Sequence, residues 1–293
     1  MILTVTLNPA VDHTIEVAGS LRTCEVTRTE RSHFDAGGKG INVSKFLAAL
    51  DVETVATGLV GGFTGEYVCD ELTRAGVEHD FVETDQPTRL NTTLLTDDGE
   101  YKLNQSGTDV GSREIEAVVS VVAARDPDTV VVAGSLPPGL GASAIDAIAR
   151  AGDWQTVVDV TGSVLGDLSA EYSFCTPNRH ELAAATGCAT ESTEECRTAA
   201  RRLLDDGFDH VVVTMGETGA MLVGPDDAVH IDPADVSVVD TAGAGDALLA
   251  GLLAADDGGA DLETALETGV STAEAVIGIP GTGNATRLDY DGR

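Results

Sequence analysis

The chain has 293 residues, 42% of them apolar, with 49 acidic and 17 basic side chains and a formal charge of −32. That size and apolar content suit one large α/β domain, and the sign of the charge disfavours a nucleic-acid partner. No apolar run approaches a membrane span and residues 1–9 lack the n-region and h-region of a secretory leader, so a cytoplasmic protein without membrane contact is expected.

Residues 2–7 alternate apolar with Thr and read as a strand into the core, ending in the turn Asn8-Pro9-Ala10-Val11-Asp12 with an acid at its tip. Residues 14–34 are polar and β-prone. Asp35-Ala36-Gly37-Gly38-Lys39-Gly40-Ile41-Asn42-Val43-Ser44 then opens a helix with Ile41, Phe46, Leu47 and Leu50 on one face. Gly37 and Gly38 allow close backbone approach to a ligand, and the helix start adds N–H donors. It is not a Walker A loop, because Gly40 follows Lys39 where Ser or Thr is needed. A strand (54–60) turns through Gly61–Gly65 into a helix (66–75), a connection that close packing on a sheet explains. A hairpin follows, 90–96 and 100–105 around Asp97-Asp98-Gly99, with Arg89 at its start. Together with residues 11–35 it makes a small β layer outside the main pattern.

From residue 115 the pattern is regular. A helix (115–124), a strand (129–133), the loop Gly134-Ser135-Leu136-Pro137-Pro138-Gly139, a helix (142–151) and a strand (156–160) come in turn. Asn178 with Glu181 three residues on makes a near-capping box. A helix (194–205) leads to a strand (210–215), the turn Gly216-Glu217-Thr218-Gly219, and short strands at 220–224 and 229–231. Then Val238-Val239-Asp240-Thr241-Ala242-Gly243-Ala244-Gly245-Asp246 reads as an extended approach and a tight loop into a helix (247–255). A last helix (262–277) and Gly281-Thr282-Gly283-Asn284 close the chain. Alternating strands and helices imply a doubly wound, mainly parallel sheet covered on both faces, with ligands beyond the carboxyl ends of its strands.

The loop at Gly243 and Gly245 suits phosphoryl oxygens, and Asp246 at its mouth is placed to take a proton from an attacking hydroxyl. Helix capping and the helix dipole explain the same acid without catalysis.

Asp240-Thr241-Ala242-Gly243-Ala244-Gly245-Asp246 resembles the C-terminal signature of the PfkB family of ribokinase-like sugar kinases, and Gly37-Gly38-Lys39-Gly40-Ile41-Asn42-Val43 resembles its first signature. Asn-x-x-Glu at 178–181 lies between them, so the resemblance covers essentially the full length. It implies a single ribokinase-like domain over 1–293, with lid strands at about 11–35 and 88–107. Asp246 would be the catalytic base and Gly243, Ala244 and Gly245 the anion hole. Thr6–Asp12 resembles the opening of the phosphofructokinase-like branch. Asp12, Gly38 and Asn42 would hold sugar hydroxyls, while Lys39, Arg89, Ser135 and, by a looser match, Arg28 would hold a phosphate already on the sugar. Thr214, Gly216 and Gly219 would line the nucleotide phosphates, and Glu181 would organise water around Mg2+. ATP is the implied phosphoryl donor. Relatives build the adenine pocket, and sometimes a monovalent-cation site, near the C-terminal glycines. They often pair as homodimers through the lid.

The implied activity is ATP-dependent phosphorylation of a ketohexose phosphate, fructose 1-phosphate foremost, with fructose 6-phosphate and tagatose 6-phosphate as rival substrates. A sugar-phosphate sensor without turnover is the alternative from another class, and an intact base and anion hole argue against it.

Cys24, Cys69, Cys175, Cys188 and Cys196 form no CxxC pair and read as reduced thiols. Only Lys39, Lys45 and Lys102 are lysines, and the acid is spread along the whole chain. Such a surface resembles that of proteins from salt-loving organisms, where counter-ions screen self-repulsion over about 3 Å at molar salt. Thermal unfolding followed against KCl concentration should show substantial loss of structure in dilute buffer. A melting temperature indifferent to salt would contradict the halophilic reading.

Overall fold

The computed structural model describes residues 1–234 and 241–278. Expectations for Val238–Asp240 and for Gly281–Asn284 lie outside the described residues.

The fold is built around β1 (Ile2–Thr6), whose five residues are all buried. The chain next forms β2 (Ala10–Val17), β3 (Thr29–Gly37), α1 (Lys39–Ala49), β4 (Thr54–Val60), α2 (Gly62–Arg74), and the two-residue strands β5 (Glu78–His79) and β6 (Val82–Glu83). The hairpin β7 (Arg89–Thr96) and β8 (Gly99–Asn104) precedes α3 (Ser112–Arg125), β9 (Thr129–Ala133), α4 (Ala142–Ala149), β10 (Gln155–Asp159) and α5 (Gly162–Leu165). Then come β11 (Tyr172–Cys175), α6 (Arg179–Thr186), α7 (Thr193–Asp205), β12 (Phe208–Thr214), β13 (Ala220–Val223), β14 (Ala228–Ile231), α8 (Ala244–Asp257) and α9 (Leu262–Ile277).

The large sheet runs β14-β13-β12-β11-β10-β9-β1-β4-β5, with β6 also on β4. Pairing is parallel from β12 across to β4, and β13 and β14 add an antiparallel edge. Fully buried runs such as Thr54–Val60 and Thr129–Ala133 follow from helices lying on both faces. Leu3 and Val5 point to the core shared with α3, α4, α6 and α7, while Ile2 points to the core shared with α1, α8 and α9. The chain leaves β1 for β4 on one side and returns to β9 on the other. That reversal opens a crevice at the carboxyl end of β1.

Two devices fix the elements that meet there. Buried hydroxyls of Thr4, Ser44 and Thr54 form a chain of hydrogen bonds (2.7 and 3.2 Å) that pins α1 against β1 and β4. The second sheet, in the order β3-β2-β7-β8, is rooted through Val11 and Ala36 in a cluster with Ile41, Ala56, Val60 and Val68. Its far end is exposed, with Leu21, Phe34, Leu95, Tyr101 and Leu103 open to solvent.

Three expectations need correction. Asp12 is not the tip of a turn: Ala10 already starts β2, and Asp12 lies in register with Asn91 on one side and Asp35 on the other. Helix α2 begins four residues earlier than expected, at Gly62. Strand β11 and helix α5, absent from the pattern reading, complete the sheet and its cover.

Asp146 shows what a structural buried acid looks like. Its carboxylate accepts from Ser169 N (2.9 Å), Ala170 N (2.8 Å), the Tyr172 hydroxyl (2.7 Å) and the Ser169 hydroxyl (2.7 Å). Burial works against its charge, but these donors outweigh that and hold its pKa below the usual carboxylate value. Its contribution is therefore present above the unfolded pKa and lost as the pH falls through the folded one. Asp146→Ala leaves four donors without their acceptor and should cost on the order of 3 kcal/mol in denaturant unfolding at molar salt. A loss within about 0.5 kcal/mol, the range of ordinary surface substitutions, would contradict this account.

Candidate active site

Two helices reach the crevice with N-termini that no side chain caps. Helix α1 starts at Gly38, whose φ of 133° is open to glycine, and α8 starts at Gly243 with φ 80°. Both present first-turn amides and a positive dipole end. Asp246 lies in the first turn of α8 and is only 5% exposed. Asn42, one turn into α1, donates Nδ2 to Asp246 Oδ2 at 2.8 Å and so joins the two helices. Burial pushes the Asp246 carboxyl up and the Asp159 charge adds to it, while the Asn42 bond and Lys39 pull it back, leaving a pKa of about 7. A folded pKa above the unfolded value means that charging Asp246 between about pH 4 and about pH 7 withdraws stability.

The structure brings the remaining expected residues to the same edge in three groups. Beside Asp246, Lys39 Nζ lies 2.7 Å from Asp159 Oδ1; the lysine side chain is 40% exposed and the aspartate 3%. Burial opposes the Lys39 charge, but Asp159, with Glu181 and Asp246 behind it, more than offsets that and raises its pKa. Lys39 therefore pairs with an acid at the end of β10, where a place on the sugar's phosphate was expected. Asn42, expected on sugar hydroxyls, is bonded to Asp246.

The second group sits where the small sheet meets β1. Arg89 donates Nη2 to Asn8 O (3.0 Å) and Ser135 Oγ (3.4 Å), Nε to Asn8 O (3.2 Å), and Nη1 to Gln105 O (3.1 Å). Asn8 Nδ2 also donates to Ser135 Oγ at 3.1 Å. With two donors on its oxygen, the Ser135 hydroxyl is left to donate its own proton. Arg89 and Ser135 make a cationic corner suited to a phosphate ester, braced by Asn8, whose Nδ2 is taken up by Ser106 O, Ser135 Oγ and Leu136 O. Close by, Asp12 Oδ1 accepts from Asn91 Nδ2 at 2.9 Å, and a Cβ on Gly37 would overlap the Asp12 carboxylate.

The third group is the far wall. Thr214 N donates to Pro177 O at 3.0 Å, bringing the Gly216–Gly219 turn against the start of α6. Gly219 has φ 79°, and a Cβ there would overlap Ile231 O, so packing alone requires glycine. Glu181 is engaged in a capping box: Asn178 N donates to Glu181 Oε2 (2.9 Å) and Glu181 N to Asn178 Oδ1 (3.0 Å). Among the described residues, no cluster of three or more His, Cys, Asp and Glu is placed to hold a metal ion.

Arg28 is not brought to the site; it lies in the exposed connection before β3. Of the expected anion-hole amides, Ala244 N donates to Thr241 O at 3.3 Å. Sequence reasoning missed Asp159, Asn8 and Asn91 as members of the site. An acid ending an apolar strand was the available signal for Asp159. A cavity of about 670 Å³ opens at the amino ends of β9 and β10, but Asp126, Asp128, Asp153, Asp256 and Asp257 line it with no basic side chain, so it does not suit phosphate esters.

Carboxyl 13C shifts should show Asp246 titrating near pH 7 in the free protein. In Asn42→Leu the loss of the donor should move that titration to higher pH. An ordinary aspartate titration near pH 4 would contradict the burial and charge pattern described.

No helix of the described residues is long and apolar enough to cross a membrane. The sequence profile of the pfkB family carbohydrate kinases matches residues 5–288. The chain is 49% identical to a 1-phosphofructokinase of Haloferax volcanii, over 96% of this chain and 92% of that one. It is 30% identical to a D-tagatose-1-phosphate kinase of Bacillus licheniformis, over 99% and 96%. Among solved structures, phosphofructokinase-2 of Escherichia coli in complex with potassium superposes with a TM-score of 0.89 at 26% identity, covering 96% of this chain and 94% of that one. With both signature loops converging on one crevice and the profile matched almost end to end, the chain belongs to the pfkB family of carbohydrate kinases.

Proposed function

We propose that the protein transfers the γ-phosphoryl group of ATP to the free primary hydroxyl of fructose 1-phosphate, giving fructose 1,6-bisphosphate. The observation that carries this reading is a buried carboxyl of pKa about 7 in the first turn of a helix without a side-chain cap. A base poised near neutrality is matched to deprotonating an alcohol, and the amides around Gly243–Gly245 are matched to the charge on the transferring group.

The sugar's own phosphate would rest on Arg89 and Ser135, which Asn8 braces, and its ring hydroxyls on Asp12 and the backbone at Gly38. Its free hydroxyl would then point at Asp246, which takes the proton as the oxygen attacks phosphorus in line. Thr214, Gly216 and Gly219 would bound the nucleotide phosphates. Glu181, held by its capping box, would orient water on Mg2+, which when bound neutralises phosphate charge. Tagatose 1-phosphate is the second reading, favoured by the D-tagatose-1-phosphate kinase relative. It replaces tagatose 6-phosphate as the leading rival. We also assign the chain to a single domain with the four-stranded sheet as lid, and its exposed apolar residues to a homodimer contact. Salt adaptation fits the charge and the Haloferax relative, and a cytoplasmic location fits the substrates.

ADP release with Mg-ATP at molar salt should be fastest with fructose 1-phosphate, slower with tagatose 1-phosphate, and slow with fructose 6-phosphate. Asp246→Asn should keep sugar-phosphate binding while kcat falls about 10²- to 10⁴-fold. Near-normal turnover in that variant, or no turnover of any sugar phosphate by folded parent protein, would overturn the assignment.

A further inference from the structure

Asp159 is as buried as Asp146, yet the two are held very differently. Asp146 accepts four hydrogen bonds. Asp159 has one side-chain partner among the described residues, the Lys39 ammonium at 2.7 Å. A buried charge with a single partner contributes little to folding after its desolvation cost. The partner is equally unusual. Lys39 occupies the first position of α1, at the positive end of the helix dipole, with no acid in that first turn. An ammonium is disfavoured there unless an anion holds it. Glu181 also acts on Lys39 from α6, and Asp246 acts on it from α8.

We propose that Asp159 is a positioning residue for phosphoryl transfer: it holds the Lys39 ammonium beside Asp246 in the unliganded protein and yields it to the phosphoryl oxygens of ATP. This rests on the reading of Asp246 as the base. A phosphoryl group entering between the bare ends of α1 and α8 brings the anion that Lys39 otherwise finds in Asp159. The exchange keeps a positive charge at the site in both states. It is geometrically accessible because the lysine side chain is 40% exposed while the aspartate is fixed at the end of a central strand. The groups that act on Asp246 are Asp159 from β10 and Lys39 and Asn42 from α1. The two charged partners act in opposite senses, so removing each one separately leaves opposite signatures.

The test uses Asp159→Asn, Lys39→Met and the double variant. Each single variant should lower kcat about a hundredfold, the scale of a misplaced catalytic group, with the KM for fructose 1-phosphate within about threefold of the parent. The acidic limb of kcat/KM should move to lower pH in Asp159→Asn and to higher pH in Lys39→Met. The double variant should unfold at the parent's temperature yet stay as slow as the slower single one. Recovery of parent kcat in the double variant would reduce the pair to a structural ion pair and overturn the proposal, as would limbs that move together. A readout independent of turnover uses the parent protein alone. With three lysines in the chain, the 15N ammonium signal of Lys39 can be followed on adding a non-hydrolysable ATP analogue without sugar. A shift is expected, and an unmoved signal at saturating analogue would overturn the proposal even if a variant failed to fold. If Asp246→Asn turns over normally while the Lys39 signal shifts, the assignment of the base fails and the ion-pair exchange stands apart from it.

Discussion

The hydrogen bond from Asn42 to Asp246 is the constraint on which the site depends. It ties two helices together through residues that lie 204 positions apart in the chain. Each helix is also fixed elsewhere, α1 by the Thr4–Ser44–Thr54 hydroxyls and α8 by its long packing against α9. The bond therefore does not create the meeting of the two N-termini; it sets their relative position. Among the described residues it gives Asp246 one neutral side-chain donor, which lowers its pKa less than burial and Asp159 raise it. A second donor would lower that pKa further.

The crevice brings cations to a molecule whose surface is strongly acidic. A chain of charge −32 would repel a nucleotide and a sugar phosphate at low salt. At the crevice, Lys39, Arg89 and two helix N-termini supply positive groups alongside Asp12, Asp159, Glu181 and Asp246. At molar salt the screening length is about 3 Å, so the bulk charge is hidden while contacts inside the crevice keep their strength. Recognition then rests on direct contact instead of long-range attraction.

How much of this was legible in the sequence depended on range. Residues 129–133 and 262–277 were placed with the bounds the structure has, the first because its apolar run is bounded by Pro127-Asp128 and Gly134, the second because its helical pattern is long. The capping box at Asn178–Glu181 was legible because helix starts are written in adjacent residues, whereas α8 begins at Ala244, three residues before the start expected from its glycines. Asp12 was misplaced because Asn8-Pro9 is a strong turn signal, and pairing with β7 extends the strand through it. Strand β11 is four residues long and carries no alternation. Asp159 was invisible for a different reason: its meaning comes from a lysine 120 residues away, and no local pattern records a partner at that distance.

The site is divided between two sheets. Asp12, Asn91 and Arg89 stand on β2 and β7, whereas Asp159 and Asp246 belong to the main sheet and its helices. A molecule that touches both becomes a cross-link between them. Its binding energy goes partly into suppressing local opening of the smaller sheet, whose outer strand β8 is exposed along its whole length. Amide exchange in β2 and β7 is thereby coupled to what fills the crevice. The smaller sheet would then be the part of the molecule whose order reports occupancy.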